Sequence, residues 1–249
     1  MAFASAEIVS TEVRMPRTGA SQDSGESGPP PRHIAVIADG NRRWARGRGL
    51  AVADGYRAGA ERVVDLVGWC DGLGVHIATV FLVSARNLEH RPADELAPML
   101  EAIAALPQAV RHRHGWTVRA VGDSGALPGH LQSPLGRLNP PVDADARRVV
   151  NLAVGYDGHR EILHAARQAS APGHTANPDD ITVHLYNGAL PAPDLIVRTA
   201  GEHRLSGFML WQSFDASLHF CDALWPDFQR ADLVDAVTHH QTQQRTFGL

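Results

Sequence analysis

The segment that most limits the fold is Ile34-Ala35-Val36-Ile37-Ala38, an apolar run that passes directly into the turn formers Asp39-Gly40-Asn41. A run this short, ended by a turn, reads as a buried strand rather than a helix. Similar short apolar runs recur at His76–Val83, Trp116–Val121, Val149–Val154, Leu195–Val197 and Leu218–Cys221. Between them lie segments with helical spacing. Val63, Val64, Leu66, Val67 and Cys70 recur at threes and fours and predict a helix from Tyr56 to Cys70. Pro92, Asp94 and Glu95 suit the first turn of a second helix reaching about Val110. Glu161–Gln168 and Asp232–His240 are further helix candidates. Strand, polar loop and amphipathic helix in alternation predict one α/β domain over residues 32–249 with a mostly parallel sheet. Residues 1–31, rich in Gly, Ser and Pro from Arg17 onward, read as a disordered leader.

Ligands of such sheets bind beyond the carboxyl ends of the strands. Four polar clusters fall there: Asp39–Arg43, Ser84–Asn87, Tyr156–His159 and Arg198–Ser206. The segment Arg32–Arg62 holds seven arginines against three acids, an excess of four positive charges in a chain whose net charge is −4. A positive patch at a strand end suits a small polyanion, and a solvated basic loop fits the same composition. Arg198 and Arg204 form a second candidate anion site beside Ser206. Two such patches with one strand-end carboxylate, Asp39, suggest a diphosphate with a divalent metal. On its local sequence alone, Asp39 could equally be a turn residue.

Composition excludes other chemistries. All 23 basic residues are arginine, so a Schiff-base lysine, a Walker-type lysine and a lysine general base are absent. The acidic balance is a poor match for nucleic acid. The fourteen histidines form no H-E-x-x-H pattern, and His112/His114 and His239/His240 have no supporting ligands nearby in sequence. Two cysteines far apart, with no signal peptide pattern and no apolar run of 18 residues, read as a reduced cytoplasmic protein without a transmembrane segment.

Three stretches carry a family resemblance: HIAVIADGNRRWA at 33–45, DLIVRTAGEHRLSGFMLWQ at 194–212 and LWPDF at 224–228. Over nearly all of residues 32–230 the chain resembles the cis-prenyltransferases, typified by undecaprenyl diphosphate synthase. Within them it looks most like the short-chain Z-farnesyl diphosphate synthases of actinobacteria. The resemblance implies a six-stranded, mainly parallel sheet, an apolar tunnel for a prenyl tail, and a homodimer. It implies that Asp39 presents Mg2+ to a diphosphate and that Gly40, Asn41, Arg42 and Arg43 cradle an allylic prenyl diphosphate. Arg198, Arg204 and Ser206 would hold a second diphosphate, that of isopentenyl diphosphate in elongation. Asn87 would stand beside the reacting carbon, with Trp44, Leu88 and Phe208 as apolar pocket or core residues.

Departures from the family pattern bear on the reaction. Tyr56 stands where a histidine is usual and retains a donor for phosphate. The usual S-T-E-N reads Ser84-Ala85-Arg86-Asn87, the usual Y-G-G-R reads Tyr156-Asp157-Gly158-His159, and the usual Y-A-E-L reads Asp215-Ala216-Ser217-Leu218. Ser217 thus replaces a glutamate that in the family is contributed at the paired active site and helps bind the metal, with Asp215 two residues away. Loss of this acid favours ionisation of one C10 or C15 allylic diphosphate followed by cyclisation or rearrangement. The alternatives are Z-prenyl elongation with isopentenyl diphosphate, a lavandulyl-type condensation, and a pseudoenzyme subunit.

Overall fold

In the computed structural model, β1 (His33–Ile37) is buried at all five positions, as a strand covered on both faces must be. Residues 28–243 are described, apart from 124, 126, 130, 131, 133, 134, 136 and 171–176. The expected leader therefore lies largely outside the described residues, as does the end of the domain beyond 243. From β1 the chain runs through α1 (Asn41–Gly47), α2 (Val52–Gly72), β2 (Ile77–Ser84), α3 (Ala85–His90), α4 (Ala93–His114) and β3 (Thr117–Val121). It continues through β4 (Val149–Tyr156), α5 (Gly158–Ala169), α6 (Pro178–Val183), β5 (Leu195–Arg198), β6 (Ser217–Phe220) and α7 (Arg230–Thr242).

The six strands form one sheet in the order β3-β4-β2-β1-β5-β6, and all five pairings are parallel. Successive residues of β1 serve opposite faces. Ile34 and Val36 enter the main core with Val63, Leu66, Val67, Ile103, Leu106 and Leu233 of α2, α4 and α7. Ala35 and Ile37 join a smaller cluster with Tyr156, Ile196, Phe208 and Met209. The helix expected from Tyr56 begins earlier, at Val52, where the Asp54 carboxylate accepts the Ala51 N–H at 3.2 Å. The second expected helix runs four residues past Val110 before Gly115, at φ 68, ends it.

Three short helices were not expected. The arginine-rich stretch read as a loop is α1, started by Gly40 at φ 112. Ser84 accepts the Asn87 N–H at the start of α3, and Asn177 accepts two main-chain N–H groups at the start of α6. At six or seven residues each, such helices are set by caps and neighbours, because they are too short to display a periodicity.

Candidate active site

The carboxyl ends of β1, β2, β4 and β5 open into one cleft of about 750 Å³, lined by residues of all four expected polar clusters. That volume is within the range of small-molecule sites. At the floor, Asp39 follows β1 and its main chain is fixed from β5. The Asp39 N–H donates to Thr199 Oγ1 at 3.0 Å, while the Thr199 hydroxyl donates to the Asp39 carbonyl at 2.7 Å. Gly40 then turns the chain at φ 112, and a Cβ there would lie 3.0 Å from Leu224 Cα. No L side chain suits both the conformation and the space.

With its backbone held, Asp39 presents its carboxylate to two guanidiniums. Oδ2 lies 3.0 Å from Arg198 Nη2, and Oδ1 lies 3.5 Å from Arg43 Nη2. The Arg198 side chain is 4% exposed. Its other nitrogen donates to Ser206 Oγ at 2.7 Å and to the Arg204 carbonyl. The loop that returns Ser206 to Arg198 contains Ala200 and Ser206 at positive φ, a conformation costly for residues with a Cβ, and Met209 just beyond it shares that conformation. Arg204 and, more distantly, Arg43 are also drawn to Glu202.

Arg42 and Arg46 share Glu95 at 3.1 and 2.9 Å, which ties α1 to the start of α4. The Tyr56 hydroxyl accepts from Arg91 at 2.6 Å, and burial raises the tyrosine pKa above its usual value. Arg91, Thr199, Glu95 and Glu202 were missed in the sequence. Thr199 and Glu202 do lie beside a recognised cluster, but nothing local marks Arg91 as a cleft residue. Asn87 and Arg86 line the cleft from α3. His159 also lines it, with its side chain 81% exposed and Nδ1 4.0 Å from Asp157. The substituted Asp157 has a local structural role, since it accepts the N–H groups of His159 and Arg160 at the start of α5.

The apolar end of the cleft differs from expectation. It is formed by Ala60 of α2 and by Met99, Ala102, Ile103 and Leu106 of α4, with Phe81 and Trp225. Trp44, Leu88 and Phe208 are not among the lining residues. Trp44 donates its indole N–H to Asp227 at 2.7 Å and lies under the Arg48 guanidinium. Leu88 packs against the main core. Phe208 is fully buried and stacks on Phe81 at 4.8 Å, so it supports the ring that faces the cleft.

Asp215 and Ser217 are likewise not among the lining residues. Ser217 begins β6, pairs in register with Leu195, and sits 3.0 Å from His240 Nδ1. Arg198 pairs with Phe220, three residues further along, so Ser217 is about 10 Å down the sheet from the strand ends. Asp215 is exposed. Among the described residues no group of three or more His, Cys, Asp or Glu is placed to hold a metal. At the floor of the cleft the single carboxylate is that of Asp39, a hard oxygen donor of the kind magnesium takes when its remaining ligands come from outside the protein. Among the described residues no helix is long and apolar enough to cross a membrane.

The family described as "Putative undecaprenyl diphosphate synthase" matches residues 37–248. The (2Z,6E)-farnesyl diphosphate synthase of Mycobacterium tuberculosis is 42% identical over 234 residues, covering 88% of each chain. Isoprenyl transferase 1 of Streptomyces avermitilis is 38% identical over 229 residues, covering 88% of this chain and 89% of the relative. Among solved structures, lavandulyl diphosphate synthase from Lavandula x intermedia in complex with dimethylallyl diphosphate superposes with a TM-score of 0.80. It is 30% identical, and the match covers 88% of this chain and 98% of that one. With this kinship over most of its length and a cleft at the parallel strand ends, the chain belongs to the cis-prenyltransferase family.

Proposed function

We propose that the protein is a short-chain Z-prenyl diphosphate synthase that joins an allylic prenyl diphosphate to isopentenyl diphosphate. The observation that carries this reading is Arg198, which reaches Asp39 on one side and Ser206 on the other. It makes one wall common to two anion patches, Arg42 with Arg43 and Arg204 with Ser206. An enzyme that only ionises and cyclises one diphosphate has no need of the second patch. The cyclisation reading rests chiefly on the missing acid at Ser217, a position that the resemblance assigns to the paired site and that does not line the cleft of its own chain. Its loss leaves the two patches of that cleft intact.

Arg42 and Arg43 hold the allylic diphosphate, with Tyr56 and Arg91 beside it. Arg198, Arg204 and Ser206 hold the second diphosphate. Asp39 would hold Mg2+, which when bound supplies positive charge to the diphosphate oxygens. The C1–O bond of the allylic substrate breaks and its electron pair leaves on diphosphate. Guanidiniums gathered in the cleft stabilise the developing charge. The isopentenyl double bond then attacks C1, and the resulting cation re-forms an alkene as a proton passes from its C2 to an oxygen of the released diphosphate. The apolar wall of α2 and α4 receives the prenyl tail and keeps water from the cation. We also propose a homodimer, whose second copy covers Phe214 and Leu218, 91% and 39% exposed around β6.

Product analysis by mass tests the reaction. Geranyl diphosphate with isopentenyl diphosphate and Mg2+ is expected to give a linear product one C5 unit longer, and geranyl diphosphate alone to give none. A cyclic product from geranyl diphosphate alone would overturn the proposal in favour of cyclisation. No turnover of any allylic diphosphate would favour a pseudoenzyme.

A further inference from the structure

Six guanidiniums line the cleft, and five of them are held by protein acceptors. Arg42 is held by Glu95, Arg43 by Asp39 and the Ala200 carbonyl, Arg91 by Tyr56, Arg198 by Asp39 and Ser206, and Arg204 by Glu202. Arg86 is the sixth, and among the described residues its side chain has no hydrogen bond or ion pair. Against these six stand four carboxylates, Asp39 and Asp157 in the lining and Glu95 and Glu202 behind Arg42 and Arg204, which leaves two positive charges in excess. An exposed arginine added to such a cluster raises the self-repulsion of the folded state. It fills no space in the core and caps no helix. A residue that adds repulsion and contributes no contact is what a site for a polyanion requires.

The sheet register says where Arg86 acts. Ile37, the last residue of β1, pairs with Phe81 of β2. Leu82, Val83 and Ser84 carry β2 three residues further, about 10 Å beyond the end of β1. Arg86, in the first turn of α3, therefore stands over the mouth of the cleft rather than on its floor with Asp39. It approaches from the β2 side, across β1 from Arg198 on β5. An anion resting on Arg43 and Arg198 from below leaves its outer oxygens toward Arg86.

We propose that Arg86 is a phosphate-binding residue of the cleft mouth, which closes on the outer phosphate of a bound prenyl diphosphate. This rests on the reading of the cleft as a diphosphate site. Its charge supplies part of what a metal cation would supply, so diphosphate binds this protein even when divalent metal is chelated. Guanidinium-to-phosphate bonds are directional and two-pronged, so lysine replaces arginine there only in part.

The test is calorimetric titration of the full chain with inorganic diphosphate in excess EDTA, and again with Mg2+. Arg86→Gln is expected to weaken binding in EDTA at least tenfold, and Arg86→Lys to recover part of the loss. Arg167→Gln, an equal loss of charge on the exposed face of α5, is expected to bind as the parent does. Without diphosphate, Arg86→Gln is expected to melt at or up to about 2 °C above the parent, because repulsion is relieved. The added diphosphate should then raise its melting temperature less than it raises the parent's. Binding by Arg86→Gln within twofold of the parent overturns the proposal, as does no recovery in Arg86→Lys. A parent that binds diphosphate only with Mg2+ overturns it while leaving the proposed reaction standing. A parent that binds diphosphate under neither condition overturns both.

Discussion

Two polar regions of the same sheet are built in opposite ways. Below the cleft, a row of side chains crosses four strands as one chain of donors. Arg119 donates to Asn151 at 3.4 Å, Asn151 to Thr79 at 3.0 Å, Thr79 to His33 Nε2 at 2.8 Å, and His33 Nδ1 to the Pro191 carbonyl at 2.8 Å. Arg119 also donates to Asn139 at 2.8 Å and to Asn187 at 3.4 Å. All four side chains of the row are buried, and their acceptors are neutral. In the cleft most of the groups are charged and, apart from the buried Arg198, partly exposed. Arg43 shares long contacts with two carboxylates, and Arg86 has no partner among the described residues. Buried polar groups in a fixed sequence hold strands in register, since any change leaves one unsatisfied. Charged groups with loose partners can exchange them for a ligand at small cost. The row suits a structural role and the cleft the binding role proposed for it, although both consist of polar residues on parallel strands.

The largest expected effect separates the two regions by rate. Asp39→Asn keeps the shape of the floor and removes its negative charge. Turnover is expected to fall by roughly 10²–10³-fold, the scale of losing one well-aimed electrostatic group. Circular dichroism should remain that of the parent. An unchanged rate would remove Asp39 from the mechanism and with it the distinction drawn here.

A smaller effect, on stability, is expected from the row. His33 accepts from Thr79 through Nε2 and donates through Nδ1, an arrangement that only the neutral ring can make. Burial lowers its pKa to about 4, against an ordinary value of 6.5. Between those values the unfolded chain binds the proton and the folded chain does not, so stability rises with pH across this window. It is present in full above pH 6.5 and is lost as the pH falls toward 4, at no more than about 1.4 kcal/mol per pH unit. Urea midpoints measured from pH 4 to 7 for the parent and for His33→Gln check this. The parent's decline should exceed the variant's, and parallel curves would mean that His33 is not held neutral.

Much of the fold was legible because burial on both faces leaves uninterrupted apolar runs. Ile34–Ala38 and His76–Val83 needed no context to be read as strands. The strand-end clusters were legible for the same reason, since the apolar runs end where polar residues begin. Long-range geometry was not. Nothing near Arg91 in sequence says that its guanidinium meets Tyr56 across 35 positions. Nor does Glu95 reveal that it binds two arginines some fifty positions earlier. The residues of the apolar wall were not legible for a related reason. Of the aromatic and leucine residues close to the motifs, Leu88 and Phe208 pack with the core, whereas the wall comes from Met99, Ala102, Ile103 and Leu106, successive turns of a helix with no motif. Ser217 shows the same limit, since its distance from the cleft follows only from its register with Leu195.

The smallest effect is expected at Trp44, which lies one residue from Arg43 and yet outside the cleft. Its indole N–H meets Asp227 at 2.7 Å, and the same carboxylate receives Arg48 at 2.9 and 3.0 Å. The Arg48 guanidinium also lies 4.5 Å from the centre of the indole ring. These contacts join α1 to the 3₁₀ turn Trp225–Asp227 that precedes α7. Trp44→Phe removes the N–H and most of the ring's attraction for Arg48 while keeping an aromatic ring. A loss of about 1 kcal/mol in unfolding free energy is expected, the typical value of one such bond. Because no atom of Trp44 lines the cleft, KM for the allylic diphosphate and kcat should both stay within twofold of the parent. A rise in KM with unchanged stability would place Trp44 among the substrate contacts, and the boundary of the functional region would then have to move outward by one turn of α1.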